Sequence, residues 1–374
     1  MIYLDNAATT PLDNEVLEAM LPFMRGNFGN PQSQHAVGRI AANALTSARD
    51  KIAEILGCSG EEVYFVSGGT EAGNTALKGV CLSRGRGHLV LSAIEHPALL
   101  ESAKDLKDGF EITYIKPDKN GIIDPADVAD ALREDTIFCA VMAANNEVGS
   151  IQPYEEIGEI CKKKGVFYYA DCVQSAGVLP LNSKCCNSLG ISAHKFYGPR
   201  GVGAIYIKKG SKISRLISGG RQERGLRGGT VNVAGAVGCA FALERAVASS
   251  EENNKKIAAL RDNFVKRVLS EIEGTHLNGD IERRVPSNAN ISFEGCDGEN
   301  LLFLLDMKGI CVSTGSACSA GAVSPSHVLT AMGLEDSRVK SAVRFSFGKY
   351  NTIDEVDFTI NALKSTVNKI RKKQ

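Results

Sequence analysis

A chain of 374 residues, 43% hydrophobic, with 43 basic side chains against 43 acidic ones, is long enough for two domains and offers no electrostatic reason to meet nucleic acid or an anionic membrane. Met1-Ile2-Tyr3-Leu4-Asp5 has no basic n-region or long apolar run, and no later stretch is apolar enough to span a bilayer, so a soluble, cytoplasmic protein is expected. The 11 cysteines fall without Cys-x-x-Cys pairs or zinc spacing; reduced thiols, such as Cys139 and Cys311 in strand core, and no intrinsic metal site are expected.

Along the chain, the spacing predicts a helix over 39–56, with Ile40, Ala44, Ile52 and Leu56 toward one side and Gly57 as a left-handed stop. Strand-like runs follow at 63–66, 89–91, 112–115, 137–142, 166–170 and 203–207, with helical patterns such as 98–106 and 154–164 between them. That alternation predicts an α/β domain with a mostly parallel central sheet flanked by helices. A glycine- and arginine-rich stretch at 218–230 comes next. A long helical pattern then spans 234–273, interrupted by the charged run 251–256. Strands at 289–293 and 343–346 and an amphipathic helix at 354–370 complete a smaller α+β domain. The expected division is 15–254 for the large domain, and 1–14 with 255–374 for the small one.

The residues just after the strands carry the chemistry. Ser67-Gly68-Gly69-Thr70-Glu71, Glu95-His96-Pro97, Asn145-Asn146-Glu147 and Asp171 each follow a predicted strand, and open α/β sheets bind ligands outside the carboxyl ends of their strands. Gly69 and Thr70 before a helix can cradle a phosphate, with Ser192 and His194 as further donors; the alternative is a plain turn with Thr70 as N-cap. Lys195 lies between Ile191 and Phe196-Tyr197-Gly198-Pro199, an apolar, turn-rich setting unlike a solvated face. Partial burial there would lower its pKa and favour Schiff-base chemistry. Asp171, after Tyr168-Tyr169-Ala170, would be a costly buried carboxylate unless a cation meets it, and the protonated ring nitrogen of pyridoxal phosphate (PLP) is such a cation. Gln174 can reach the ring's phenolic oxygen.

His96 suits stacking on a ring and proton relay, or is a satisfied core histidine. Asn146 reads as a cofactor and substrate contact or as a turn residue, and Arg344 as a carboxylate fork or a structural ion pair. Cys318, in Ser313-Thr314-Gly315-Ser316-Ala317-Cys318-Ser319-Ala320-Gly321, is an accessible nucleophile or an incidental thiol. The helix after it is expected to start with Ser324 as N-cap and Pro325 in its first turn.

Taken in order, 4–10, Gly29-Asn30-Pro31, 67–71, Glu95-His96, 145–147, 171–174, Ser192-Ala193-His194-Lys195 and Arg227-Gly228-Gly229-Thr230 resemble the cysteine desulfurases, fold-type I, class V aminotransferase-like PLP enzymes. The Ser316-Ala317-Cys318 loop resembles their NifS/IscS branch. The resemblance implies removal of sulfur from L-cysteine to give L-alanine and a persulfide on Cys318, with Lys195, Cys318 and His96 as catalytic residues. It implies Asp171 at the ring nitrogen, Gln174 at the phenolic oxygen, and Gly69, Thr70, Ser192 and His194 at the phosphate. It also implies Thr230 from a second subunit of a homodimer, and Asn146 and Arg344 at the substrate. The acceptor would be a NifU/IscU-like scaffold or a tRNA-thiolation protein. A selenocysteine lyase or another class V aminotransferase is the neighbouring reading, and a non-catalytic thiol-rich sulfur or metal carrier the distant one.

Overall fold

The structure, a computed structural model, describes residues 1–106, 108–314 and 325–372. The chain opens with β1 (Ile2–Tyr3), α1 (Asn14–Arg25) and α2 (Ala36–Leu56), then runs through β2 (Val63–Val66), α3 (Gly69–Arg84), β3 (Gly87–Ser92), α4 (Pro97–Lys104) and β4 (Phe110–Ile115). It continues with α5 (Pro125–Ala131), β5 (Thr136–Ala140), α6 (Tyr154–Lys164), β6 (Phe167–Asp171), β7 (Ser188–Ser192) and β8 (Gly203–Ile207). Beyond these lie α7 (Val233–Ala248), α8 (Ser250–Glu271), β9 (Thr275–Asn278), β10 (Asn288–Phe293), α9 (Gly298–Asp306) and β11 (Ile310–Cys311). The last elements are α10 (His327–Ala331), α11 (Asp336–Lys340), β12 (Ala342–Ser346) and α12 (Ile353–Arg371).

Seven strands form the main sheet in the order β2-β8-β7-β6-β5-β3-β4. The pairs from β7 across to β4 are parallel, and β8 runs antiparallel to both β7 and β2. Because side chains alternate along a strand, the same runs feed two cores. Val90, Cys139, Tyr168 and Ala170 face one layer, which includes α2, α6 and α7. Leu89, Leu91, Phe138, Ala140 and Tyr169 face the other, against α3 and α4.

Strand β7 carries Ser-Leu-Gly-Ile-Ser and lacks a hydrophobic run, so the spacing did not reveal it, yet every residue in it is buried. Its glycine is dictated by packing: a Cβ on Gly190 would stand 2.5 Å from the Tyr169 hydroxyl and 2.8 Å from the Ala72 Cβ.

Helix α2 begins earlier than the spacing suggests, because the His35 ring nitrogen accepts from the Gly38 N–H. The buried stripe is Ala41, Ala48, Ile52 and Leu56, and Ile40, one position off it, is 45% exposed. The helical stretch after 230 breaks at Ser249, ahead of the charged run, and α7 and α8 meet at 72°. No single helix among the described residues is long and apolar enough to cross a membrane.

A separate core gathers Leu4 with residues of α8, β10, α9, β12 and α12, around Phe264, Phe293, Phe345 and Phe347. It supports the antiparallel sheet β12-β10-β9, while β1 pairs with β11. Cys311, on that short pair, is only partly buried, unlike Cys139. Helix α10 starts at His327, and its N-cap is Ser326, whose hydroxyl accepts from the Leu329 N–H.

Candidate active site

Five parallel strands of the sheet, β2, β3, β5, β6 and β7, deliver the candidate residues from one edge. Ser192 is the last residue of β7 and leads into a tight turn, 193–195, that ends on Lys195. Tyr197, with φ of 65°, turns the chain back sharply, an uncommon conformation for a bulky side chain. The N-terminal segment holds that turn. Thr10 donates its N–H and its hydroxyl to the His194 carbonyl, and its hydroxyl accepts from the Tyr197 N–H at 2.7 Å. The Lys195 Nζ donates to the carbonyls of Ala7 at 2.6 Å and Ala8 at 2.9 Å, and the Gln174 amide shares the Ala7 carbonyl at 3.0 Å. Lys195 and Gln174 thus converge on one backbone segment and line one cavity with Asn6 and Ala7.

Next to the same turn lies an open cleft lined by Thr9, Ser67, Gly68, Gly69, Thr70, Ser192, His194, Arg200 and Gly201. The expected phosphate residues Gly69, Thr70, Ser192 and His194 therefore meet. Gly68, at φ of 151°, caps α3 without a side-chain bond, so the first N–H groups of a 16-residue helix open onto the cleft and Thr70 is not the N-cap. The glycines are required by space as well: a Cβ on Gly203 would stand 2.3 Å from the Ile191 carbonyl oxygen and 3.0 Å from the Gly68 Cα.

The electrostatics favour neutral forms in the protein alone. Asp171 ends β6, and its carboxylate accepts the Val173 N–H at 2.9 Å. Burial pushes its pKa up to about 6, against that hydrogen bond and the nearby Lys195 charge. Glu95 is fully buried and accepts the Met142 N–H at 2.7 Å; burial, and then Asp171, push it up to about 8. His96 is the N-cap of α4, its Nδ1 accepting from the Ala98 N–H at 3.1 Å. Burial, followed by Lys195 and His327, drives its pKa down to about 4. His194 is also held at about 4, by burial first and then by Lys195 and Arg200. Both imidazoles are neutral near pH 7.

Arg344, in β12, is buried, and its Nη1 donates to the Asn146 carbonyl at 2.9 Å. Its Nη2 pairs with Asp5 at 2.8 Å, and its buried Nε has no hydrogen-bond partner among the described residues. A buried guanidinium N–H without an acceptor suits an incoming carboxylate. The neighbouring Glu147 accepts from Ser326, tying the start of α10 to the same strand end. Asp5, Thr9, Glu95 and Arg200 join the site without having been singled out by the sequence. Only the position of Asp5 and Thr9 inside the 4–10 motif, and of Glu95 beside His96, could have pointed to them.

Two expected residues are not brought in. Thr230 is exposed and lies with Arg227, Val66 and Ser67 in a different pocket. Cys318 lies outside the described residues.

Residues 2–358 match the aminotransferase class-V family model. A cysteine desulfurase IscS of Dictyoglomus turgidum is 45% identical over 375 residues, covering 99% of this chain and 95% of that protein. Among solved structures, a NifS-like protein superposes with a TM-score of 0.92 at 39% identity, covering 98% of this chain and 99% of its own. A second, SspA in complex with cysteine, has a TM-score of 0.83 at 33% identity, covering 94% and 100%. Similarity over the whole length, on a fold that sets these residues at one sheet edge, leaves one conclusion: the chain belongs to the aminotransferase class-V family, among its cysteine desulfurases.

Proposed function

We propose that the chain is a PLP-dependent cysteine desulfurase that takes sulfur from L-cysteine, releases L-alanine and carries the sulfur as a persulfide on Cys318. The observation that carries the reading is the placement of Lys195 near the Asp171 carboxylate, beside a donor-rich cradle. Burial lifts the carboxylate to about 6 despite the nearby Lys195 charge, and a protonated ring nitrogen would favour its charged form. The cradle's backbone, hydroxyl and imidazole donors fit a phosphate. Bound there, PLP would supply an electron sink for bond breaking at the substrate's carbons.

The chain's own residues have distinct tasks in this reading. Asp171 holds the ring nitrogen protonated, and Gln174 bonds the phenolic oxygen. Gly69, Thr70, Ser192 and His194 hold the phosphate, joined by Thr230 of a second subunit in a homodimer. His96 lies over the ring. Its Nδ1 is engaged by the Ala98 N–H, so Nε2 is the atom left to exchange a proton, and its depressed pKa makes it a proton acceptor only transiently. Arg344 takes the α-carboxylate with Asn146 alongside, Lys195 serves as the amine that carries the cofactor, and the Cys318 thiolate receives sulfur.

The division into 15–254 and 1–14 with 255–374 is part of this reading, supported by the separate core around Phe264. So are a cytoplasmic setting and transfer to a NifU/IscU-like scaffold or a tRNA-thiolation protein by thiol exchange.

Incubation with L-cysteine tests the proposal, following alanine and sulfide for wild type, Cys318→Ser and Lys195→Ala. Wild type should produce both, Cys318→Ser should keep the yellow cofactor but release no sulfide, and Lys195→Ala should lose turnover. A Cys318→Ser protein that releases sulfide at the wild-type rate would overturn the assignment.

A further inference from the structure

The cradle is well supplied with hydrogen-bond donors and poor in charge. Thr9, Ser67, Thr70 and Ser192 are neutral, Gly68, Gly69 and Gly201 offer backbone only, and His194 stays unprotonated near pH 7. The Lys195 amine points across to the Ala7 and Ala8 carbonyls and does not line the cleft. Glu71 lies beneath the cleft, accepting the Ser67 N–H at 2.8 Å, but Arg227 is paired with it. Among the described residues lining the cleft, Arg200 is the one charged side chain.

It sits at the mouth, exposed, its Nε 3.4 Å from the Thr9 hydroxyl, which in turn lies 3.1 Å from the His194 Nδ1. A phosphate monoester carries close to two negative charges at neutral pH, and the N-terminus of α3 answers only about half of one. Resting on the cofactor reading above, we infer that Arg200 is a further phosphate-site residue: its guanidinium supplies the positive charge that a phosphate dianion needs in this cleft, and it orders the Thr9–His194 pair beside it.

Because Arg200 is open to solvent, its contribution is modest and screened by salt. The protein is stripped of PLP, and the affinities of wild type, Arg200→Gln and Arg200→Lys are measured for PLP and for pyridoxal, which lacks the phosphate, by absorbance at two ionic strengths. Arg200→Gln should bind PLP about fivefold more weakly at low salt and pyridoxal as wild type does; Arg200→Lys should recover most of the loss, and the Arg200→Gln deficit should shrink at high salt. Equal PLP affinity in Arg200→Gln and wild type overturns the inference. So does an equal loss for PLP and pyridoxal, which would mark a structural role. Wild-type protein that takes up neither compound would instead sink the cofactor reading itself.

Discussion

Replacing Asp171 by Asn should make the cofactor-free protein more stable while damaging its capacity to hold PLP. The native carboxylate has a pKa near 6 against the ordinary 3.8 because it is buried with a single backbone donor, the Val173 N–H. A shift of about 2 units at roughly 1.4 kcal/mol each costs about 3 kcal/mol at most, and about 2 once water reaching its open side is allowed for. The sign is fixed by linkage. Below about pH 3 both folded and unfolded chains carry a protonated Asp171, so the acid costs nothing. Between about 4 and 6 the unfolded chain ionises first, and folded stability falls relative to a neutral side chain. Above 6 the penalty is constant. Asn keeps an oxygen for the Val173 N–H without the charge. Thermal unfolding of stripped wild type and Asp171→Asn from pH 3 to 8 should show curves that converge at the acid end and separate by about 4–8 °C at pH 8. With PLP added the order should reverse, because only the native carboxylate gains a cation. A variant no more stable than wild type at pH 8, or a gap that does not close on acidification, would refute the reasoning.

Gly203→Ala forces a methyl group against the Ile191 carbonyl and the Gly68 Cα, prising β7 from β8 beside the cradle. PLP affinity should fall at least about tenfold, with about 1–3 kcal/mol lost from stability. Gly158→Ala, whose Cβ would lie 2.1 Å from the Cys185 carbonyl oxygen, should destabilise comparably and leave PLP affinity unchanged in a reconstitution titration. Glu223 is buried and accepts from both terminal nitrogens of Arg49 and from the Phe65 N–H at 2.7 Å. Glu223→Ala should cost about 3–5 kcal/mol because it strands a buried guanidinium, whereas Arg49→Met with Glu223→Leu should recover most of that in denaturant unfolding. A double variant as weak as the single one would contradict this account.

The strand ends were legible because β2, β3 and β5 are apolar runs followed within a few residues by Gly68, Glu95-His96 and Asn145-Asn146, and β6 is one that closes on Asp171. What escaped is non-local or lacks a pattern. β7 reads Ser-Leu-Gly-Ile-Ser and is recognisable as a strand only once Gly190 is seen pressed against Tyr169 and Ala72. The Asp5–Arg344 pair joins opposite ends of the chain, a contact that no window of neighbouring residues can encode. Ile40 misled because its apolar side chain lies one step off the Ala41-Ala48-Ile52-Leu56 stripe. The break between α7 and α8 was displaced because the charged run lies wholly within α8, on a helix with a solvated face.

The electrostatic displacements at the site run in complementary directions. Asp171 and Glu95 are raised, and His96 and His194 are lowered, so burial alone disfavours charge at all four. Folding such groups together lowers stability unless something selects them. A ligand with a cationic nitrogen at one end and an anionic group at the other would relieve the site selectively, by ionising Asp171 and filling the donor-rich cradle. Glu95, pushed up to about 8 by burial and then by Asp171, would stay largely protonated near pH 7 and leave Asp171 as the negative charge under the ring. A second charged carboxylate there would hold the ring's proton too tightly for its electron demand to be tuned by Asp171 alone. Glu95→Gln, which fixes the neutral form, should therefore leave the cofactor's absorbance near pH 7 unchanged and remove any spectral titration centred near pH 8.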